Sequence, residues 1–272
     1  MREREREEKV KKFGLPLIFK PYLSKNLLRL GHNKDGGYII NQEILDKSEV
    51  LLTFGLGDEF SFEEDFKKNR KNKKIIVYDH TVTKVFWLKH FINSFLHFIR
   101  NRKNFLRIFK YFKYLKFFKM DNVNHIKLRV REHNNYFIKN SISLIEIIKK
   151  INIPEEKILL KIDIDMDEYR LLEDISKFNF LCIIIEFTHV DLLQDQIIKF
   201  LENNNKYKII HIHGNNFDYP CKNNNPIHLE ITLANQNLIY VDANKINYEL
   251  PIDLDYPNDI KNKEIPIKFN QI

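Results

Sequence analysis

Three stretches of the chain place glycine, acidic and histidine residues where they could do chemistry. The first is Phe54-Gly55-Leu56-Gly57-Asp58, where two glycines let the backbone turn tightly and approach a ligand just ahead of a helix with free N–H groups. Asp79 follows Gly57 by 22 residues, at the end of the next apolar run. That is close to the roughly 20-residue spacing at which an acidic side chain bonds ribose hydroxyls. The second stretch is Lys161-Ile162-Asp163-Ile164-Asp165-Met166-Asp167-Glu168, with four carboxylates in six residues. Such a group repels itself unless a cation, a proton or a donor compensates. Asp163 and Asp165 share a face if the strand continues, whereas Asp167 and Glu168 suit the first turn of a helix, where the dipole favours negative charge. In the third, Glu186 ends one apolar run and His211-Ile212-His213-Gly214-Asn215-Asn216 ends another. Asp163, Glu186 and His213 are therefore the candidate catalytic groups, with His213 as general base because neutral imidazole is available near pH 7.

These residues need elements to hold them. Val50–Phe54, Ile75–Tyr78, Ile126–Val130, Ile158–Ile162, Leu181–Ile185 and Tyr207–His211 are short, nearly continuous runs rich in β-branched or aromatic side chains, as in strands buried on both faces. Helical patterns lie between them at Ser61–Asn69, Ser141–Ile151, Asp167–Phe178 and Leu192–Glu202. Strands alternating with helices predict an α/β fold with a mostly parallel sheet. The late runs His228–Leu233 and Leu238–Val241, with no helix between them, predict a terminal antiparallel hairpin. In an open sheet of this kind ligands sit beyond the carboxyl ends of the strands, where strand order reverses, and all three stretches fall at such ends.

The chain has 272 residues, enough for one large domain with a sizeable core. It reads as a single domain over 1–272, with an N-terminal segment over 1–45, a basic phenylalanine-rich insertion over 82–122 and an extended tail over 250–272. Two cysteines, Cys182 and Cys221, exclude a disulfide framework and a four-thiolate zinc site, and fit a reduced, cytosolic setting. The opening MREREREEKVKK has no apolar run behind its charges, unlike a signal peptide, and no run of 18 apolar residues predicts a membrane span. Formal net charge is +8, yet residues 81–120 hold ten Lys/Arg and no Asp/Glu. The remaining residues carry 35 basic and 37 acidic groups, so the excess belongs to one segment and a fold-wide basic surface is excluded.

The same residues resemble a known family. Leu160 to Glu168 is similar to the LKID-x-E-G-x-E signature of FkbM-type S-adenosylmethionine-dependent methyltransferases, with Asp165 in the Glu slot and Met166 in the Gly slot. Gly31 to Tyr38 (GHNKDGGY), Phe54 to Glu63 (FGLGDEFSFE) and Ile212 to Asn216 (IHGNN) resemble motifs of bacterial capsule- and sugar-related members. The resemblance spans roughly residues 30–260. It implies a Rossmann-like class I methyltransferase fold, with Gly55, Gly57, Asp58 and Asp79 around S-adenosylmethionine and Asp35, Gly37 and Tyr38 as a lid over it. The reaction it implies is O-methylation of a carbohydrate or nucleotide-linked acceptor in surface-polysaccharide synthesis. A metal-assisted variant would use Asp163, Asp165, Glu186 and His213 as ligands for Mg²⁺ or Mn²⁺, lowering the pKa of the acceptor hydroxyl. The main rival is a glycosyltransferase, with Asp163-x-Asp165 holding a divalent cation under a nucleotide-sugar diphosphate. A nucleic-acid-binding module would rest on charge alone, without a recognisable motif.

Between Asp79 and Ile126 lie 46 residues, far more than one crossover helix needs. Nine of the 22 Phe fall between Phe86 and Phe118, and Phe91, Phe95, Phe98, Phe105, Phe109 and Phe112 keep to one helical face. Arg100, Lys103, Arg107 and Lys110 fall nearly opposite. The segment either packs against the sheet or a second copy over 86–119, or lies at an anionic membrane, which would place the protein peripherally at the inner membrane.

Overall fold

The computed structural model describes residues 14–69, 72–100, 109–133, 135, 137–218, 220 and 225–270, with side chains omitted for 96–100. The strands are β1 (Leu15–Pro16), β2 (Leu27–Leu30), β3 (Tyr38–Asn41), β4 (Val50–Phe54), β5 (Lys74–Tyr78), β6 (Val123–Ile126), β7 (Arg129–Arg131), β8 (Ser141–Ser143), β9 (Ile158–Ile162), β10 (Cys182–Phe187), β11 (Tyr207–Asn215), β12 (His228–Asn235) and β13 (Phe269–Asn270). The helices are α1 (Gln42–Lys47), α2 (Ser61–Asn69), α3 (Lys84–Arg100), α4 (Lys110–Phe117), α5 (Leu144–Ile151), α6 (Glu168–Ser176) and α7 (Val190–Asn203).

Seven strands form the central sheet in the order β11-β12-β10-β9-β4-β5-β6. Neighbours from β10 to β6 pair in parallel, and β12 alone runs antiparallel, inserted between β10 and β11. This is the Rossmann-like α/β architecture expected, and its order reverses between β4 and β9. The hairpin is built differently from the expectation. Leu238–Val241 forms no strand, and the antiparallel partner of His228–Asn235 is the preceding strand, which runs on to Asn215. The run Ile126–Val130 divides into β6 and β7, because β7 leaves the sheet to pair with β8. Ser141–Ser143 is strand rather than helix, and Ser143 caps α5 through a capping box with Glu146.

Alternation along the strands sorts the core. Leu52, Phe54, Ile76, Leu160, Ile162, Ile183 and Ile185 face one side, in one cluster with Leu171, Ile175, Ile197 and Phe200 of α6 and α7. Leu51, Ile75, Val77, Leu159 and Ile184 face the other, clustered with Phe62 and Phe66 of α2 and with Trp87, Tyr114 and Phe117 of the basic segment. Toward the carboxyl ends this second face turns polar. By the same alternation Thr53, Lys161, Glu186, Glu230, His211 and His213 share it, and all but the partly buried Glu186 are fully buried. The β2–β3 hairpin and the tail cover the row. Thr232 donates to the Ile39 carbonyl (2.7 Å) and Asn258 to Glu230 (2.7 Å).

The described residues of the basic segment form α3 and α4, and their phenylalanines do not share one buried face. Trp87, Tyr114 and Phe117 are buried, whereas Phe91, Phe95, Phe109 and Phe112 are exposed. Lys103, Phe105 and Arg107 and the side chains of Phe98 and Arg100 lie outside the described residues, as does Cys221. Among the described residues no helix is long and apolar enough to cross a membrane.

The reversal point imposes a steric demand on β4. Gly55 has φ +82°, and a Cβ there would stand 1.7 Å from the Asp163 carbonyl oxygen, whereas a Cβ on Gly57 (φ +56°) would meet nothing within 4 Å. Gly55→Ala is therefore expected to cost about 3 kcal/mol or more through overpacking. Gly57→Ala should cost only the roughly 1–2 kcal/mol of its left-handed backbone. Urea midpoints of the two variants check this order, and equal losses would refute it.

Candidate active site

A cavity of about 270 Å³ opens where the strand order reverses, walled by Gly55, Leu56 and Gly57 after β4, Asp79 after β5, and Lys161 and Asp163 at the end of β9. The carboxylates bordering it are Asp35, Asp58, Glu59, Asp79, Asp163, Asp165 and Asp167, against two permanent cations, Arg129 and Lys161. Both cations are engaged, Arg129 with Asp167 and Lys161 with Glu63 (3.7 Å) and Asp163 (3.9 Å).

Asp79 lines this cavity in a role other than the one its spacing suggests. Its Oδ2 accepts the backbone N–H groups of Leu56 (2.8 Å) and Gly57 (3.1 Å), and its Oδ1 accepts the N–H (2.7 Å) and hydroxyl (2.6 Å) of Thr81. A carboxylate has about four acceptor positions, so none is left for a ribose hydroxyl pair. Burial alone would raise its pKa, but the donors of Thr81, Leu56 and Gly57 outweigh burial and hold it below the usual carboxylate value. Asp79 thus fixes the glycine loop, and it consumes the loop amides that would otherwise bind an anion.

Asp58 also borders the cavity, with its carboxylate turned to the basic segment. It accepts from Lys110 (2.8 Å) of α4 and contacts His90 Nε2 (2.9 Å) of α3. Burial opposes ionisation there, and Lys110 and His90 together overcome it and lower the pKa. Of the three lid candidates only Asp35 reaches the cavity wall, beside Gly36. A Cβ on Gly37 would meet the His32 carbonyl oxygen at 2.2 Å and the Arg29 guanidinium at 2.5 Å, so this glycine admits Arg29 to the loop. Tyr38 lies beneath the cavity, where its hydroxyl is 3.1 Å from Asp163 Oδ2 and 3.4 Å from Glu186 Oε2.

Asp163 and Glu186 are thus brought together, as expected, with Tyr38 between them. Burial raises both pKa values. For Asp163, Lys161 and Tyr38 pull against that rise, whereas Glu186 is pushed well above the ordinary value by burial and by Asp163, Glu230 and Asp35 around it. Of the two, Glu186 is the one whose charged form burial and its acidic neighbours disfavour more, and the Asn215 amide donates to its Oε1 (2.8 Å).

His213 does not join them. Its Nδ1 lies 3.1 Å from Glu230 Oε2 and its Nε2 3.1 Å from Glu264 Oε2, so both ring nitrogens are occupied. Burial would lower its pKa, but hydrogen bonds to Glu230 and Glu264 overcome this and push it up to about 10. An imidazolium with both N–H groups donated has no lone pair with which to accept a proton, so the base assignment is corrected. The proposed metal set fails with it. His213 is committed to Glu230 and Glu264, Glu186 to Asn215 and Tyr38, and Asp165 sits exposed on a turn at φ +43°. Among the described residues no three His, Cys, Asp or Glu side chains converge as a metal site.

The rest of the acidic stretch is structural. Met166, in the slot where the resembled signature has Gly, adopts φ +78°, a conformation that glycine holds without strain. Asp167 binds Arg129 through that guanidinium's Nε (2.8 Å). Glu168 is fully buried and accepts the Thr188 N–H (2.9 Å) and hydroxyl (2.8 Å), so it pins the β10–α7 turn rather than serving only the helix dipole.

Sequence reasoning missed Lys161, Glu63, Glu230 and Glu264 as site residues. A charged residue inside an apolar strand run, as Lys161 is in Ile158–Ile162 and Glu230 in His228–Leu233, was the available signal, since such a group is buried only with a partner. Glu63 and Glu264 carry no such mark in the sequence.

No family model and no curated protein matches this chain. Solved structures align with it loosely. A precorrin-6y C5,15-methyltransferase from Geobacter metallireducens is 12% identical, covering 82% of this chain and 98% of its own, with a TM-score of 0.35. A fibrillarin pre-rRNA processing protein from Methanococcus jannaschii is 9% identical over 70% of this chain and 67% of its own, at 0.37. The methyltransferase FkbM from Methylobacillus flagellatus is 14% identical over 68% of this chain and 44% of its own, at 0.38. At these values the strand order of the chain itself defines its architecture.

The His213 bridge has a pH signature. A histidine whose folded pKa is raised contributes stability that is complete below its unfolded value of 6.5 and is lost as pH rises through about 10. His213→Gln leaves Glu230 and Glu264 without their cation, an expected cost of about 3–5 kcal/mol near neutral pH. Urea unfolding from neutral to alkaline pH should show the wild type losing this increment and the variant not; parallel profiles would contradict the bridge.

Proposed function

We propose that this chain is an S-adenosylmethionine-dependent methyltransferase that methylates an oxygen of a hydroxyl-bearing acceptor. The observation that carries the proposal is the chemistry of the cavity at the reversal point. Its glycine-loop amides are taken by Asp79, and its wall carries seven carboxylates against two engaged cations. A phosphate needs free amides and positive potential, and here it finds neither. A ligand with a sulfonium and an ammonium group finds a complementary wall. The same facts weigh against the nucleotide-sugar glycosyltransferase, whose diphosphate would face this wall.

The residues fit the cofactor in defined roles. Gly57, open on its Cβ side, lets the ligand approach the loop backbone, and Asp79 holds that loop in shape. S-adenosylmethionine, when bound, supplies a methyl group already activated by its sulfonium. What remains for the protein is to orient the acceptor and take its proton. With His213 committed elsewhere, Asp163 assumes that task. It borders the cavity, and burial raises its pKa, which strengthens it as a base, while Lys161 and Tyr38 oppose that rise. The Tyr38 hydroxyl, which donates to Asp163 and lies against Glu186 on its other side, positions it. The finer reading, a carbohydrate acceptor from surface-polysaccharide synthesis, draws its support from the motif resemblance and from carboxylates suited to accept sugar hydroxyls.

Calorimetry tests the cation reading without knowledge of the acceptor. S-adenosylmethionine should bind about tenfold more tightly than neutral S-adenosylhomocysteine at low salt, a difference of about 1.4 kcal/mol that shrinks as salt is added. UDP should not bind. Binding of UDP with neither adenosyl compound would overturn the assignment.

A further inference from the structure

The basic segment presents a surface that the reaction does not use. On α3, Val85, Leu88, Phe91, Ile92 and Phe95 are between 42% and 60% exposed. Their spacing gathers them into one stripe along the helix. The stripe is not the face by which the helix packs. That face is formed by Trp87, whose ring centroid lies 4.9 Å from that of Tyr114 and 5.5 Å from that of Tyr111 in tilted contacts, by His90 on Asp58 and by buried Ser94. Phe109 and Phe112, before and within α4, add two more exposed rings. Lys84, Lys89 and Lys116 on the same two helices and Lys119 just past α4 are exposed, and no acidic residue occurs between 81 and 120.

We propose that the outer face of α3, with the exposed rings near the start of α4, docks the protein on an anionic membrane interface, the apolar stripe entering the headgroup region and the lysines meeting the lipid charge. Charge selects this occupant over a second copy of the chain. The apolar spacing Val85, Leu88, Ile92, Phe95 is that of a heptad seam, which a second copy could cover only by bringing like charges together. In a parallel pair Lys84 would also face Lys89 of the other copy, a like-charge contact with no acidic residue in the segment to relieve it. An apolar stripe flanked by cations suits the acyl–headgroup boundary, where both signals add. Because His90 holds Asp58 from the opposite side of the same helix, the membrane face and the cavity wall are two sides of one element. A lipid-borne acceptor would then be delivered beside the cavity. This docking stands whether or not the methyltransferase reading holds, since its test measures no turnover.

The experiment is co-sedimentation of the full chain with vesicles of phosphatidylcholine, with and without phosphatidylglycerol. Wild type should partition onto the anionic vesicles and bind neutral ones at least about tenfold less, with the difference collapsing at high salt. The triple variant Leu88→Ser, Phe91→Ser, Phe95→Ser should lose about tenfold or more of the binding with an unchanged melting curve. Lys84→Glu with Lys89→Glu, which leaves the stripe intact, should lose binding to anionic vesicles only. Absence of vesicle binding by the wild type, or equal binding by the triple variant, would overturn the proposal. So would a dimer in sedimentation that the triple variant dissolves while vesicles bind neither protein.

Discussion

A lysine ammonium buried at the end of the central strand is the constraint around which the rest is arranged. Lys161 is 3% exposed, and leaving its charge unpaired there would cost several kcal/mol. Glu63 from α2 and Asp163 from its own strand compensate it, and the Tyr38 ring covers it at 5.0 Å to the centroid. Burial would lower the lysine's pKa, yet Glu63 and Asp163 outweigh that and keep it charged. Each compensating group then needs its own support. Thr53 donates to Glu63 (3.0 Å), Tyr38 to Asp163 (3.1 Å), and Asn215 to Glu186 (2.8 Å). One buried cation thus draws α2, the β2–β3 hairpin, β9, β10 and β11 onto the same spot.

The row continues at the edge of the sheet with the sign pattern repeated. Glu230 and Glu264 enclose His213, Asp255 meets His211 at 3.1 Å, and Asn258 bridges Glu230 to Asp35. Three of these partners come from the tail, which therefore closes the row as well as the fold. Asp35 then connects the row to the cavity wall. The acidity of the cavity follows from this arrangement: the cations that the sheet face offers are spent inside, on buried carboxylates, and the wall keeps the remainder. A site built this way has little attraction for phosphates.

The fold was largely legible because its signals are local. Val50–Phe54, Ile158–Ile162 and Ser61–Asn69 have the boundaries their apolar patterns imply, and the reversal point follows from the glycines after β4. What stayed hidden depends on contacts between distant residues. Leu238–Val241 has strand composition, but Cys182–Phe187 and Tyr207–Asn215 pair with β12 on its two sides. His213 looks like a base until Glu264, 51 residues on, supplies its second carboxylate. Asp79 has the spacing of a ribose ligand, yet nothing in that spacing says that its oxygens turn back to Leu56, Gly57 and Thr81. Residue type and position were readable; the occupancy of each lone pair was not.

The uneven charge of the chain acquires a structural meaning from the two links between the basic segment and the cavity. Lys110 and His90 hold Asp58 on the glycine loop. Tyr114 donates to His125 Nδ1 (2.6 Å), and His125 Nε2 donates to the Asp79 carbonyl (2.9 Å). That second link requires a neutral ring, and burial lowers the His125 pKa accordingly. The Nε2–H tautomer follows from the carbonyl, which can only accept. Through these contacts the segment with ten cations is bolted to the two acidic corners of the cavity, one by charge and one by a neutral chain. Displacing α3 and α4 would strip Asp58 of both partners and loosen the strand end that carries Asp79. The inner sides of α3 and α4 and the acidic wall of the cavity therefore share the contacts that fix Asp58 and the end of β5.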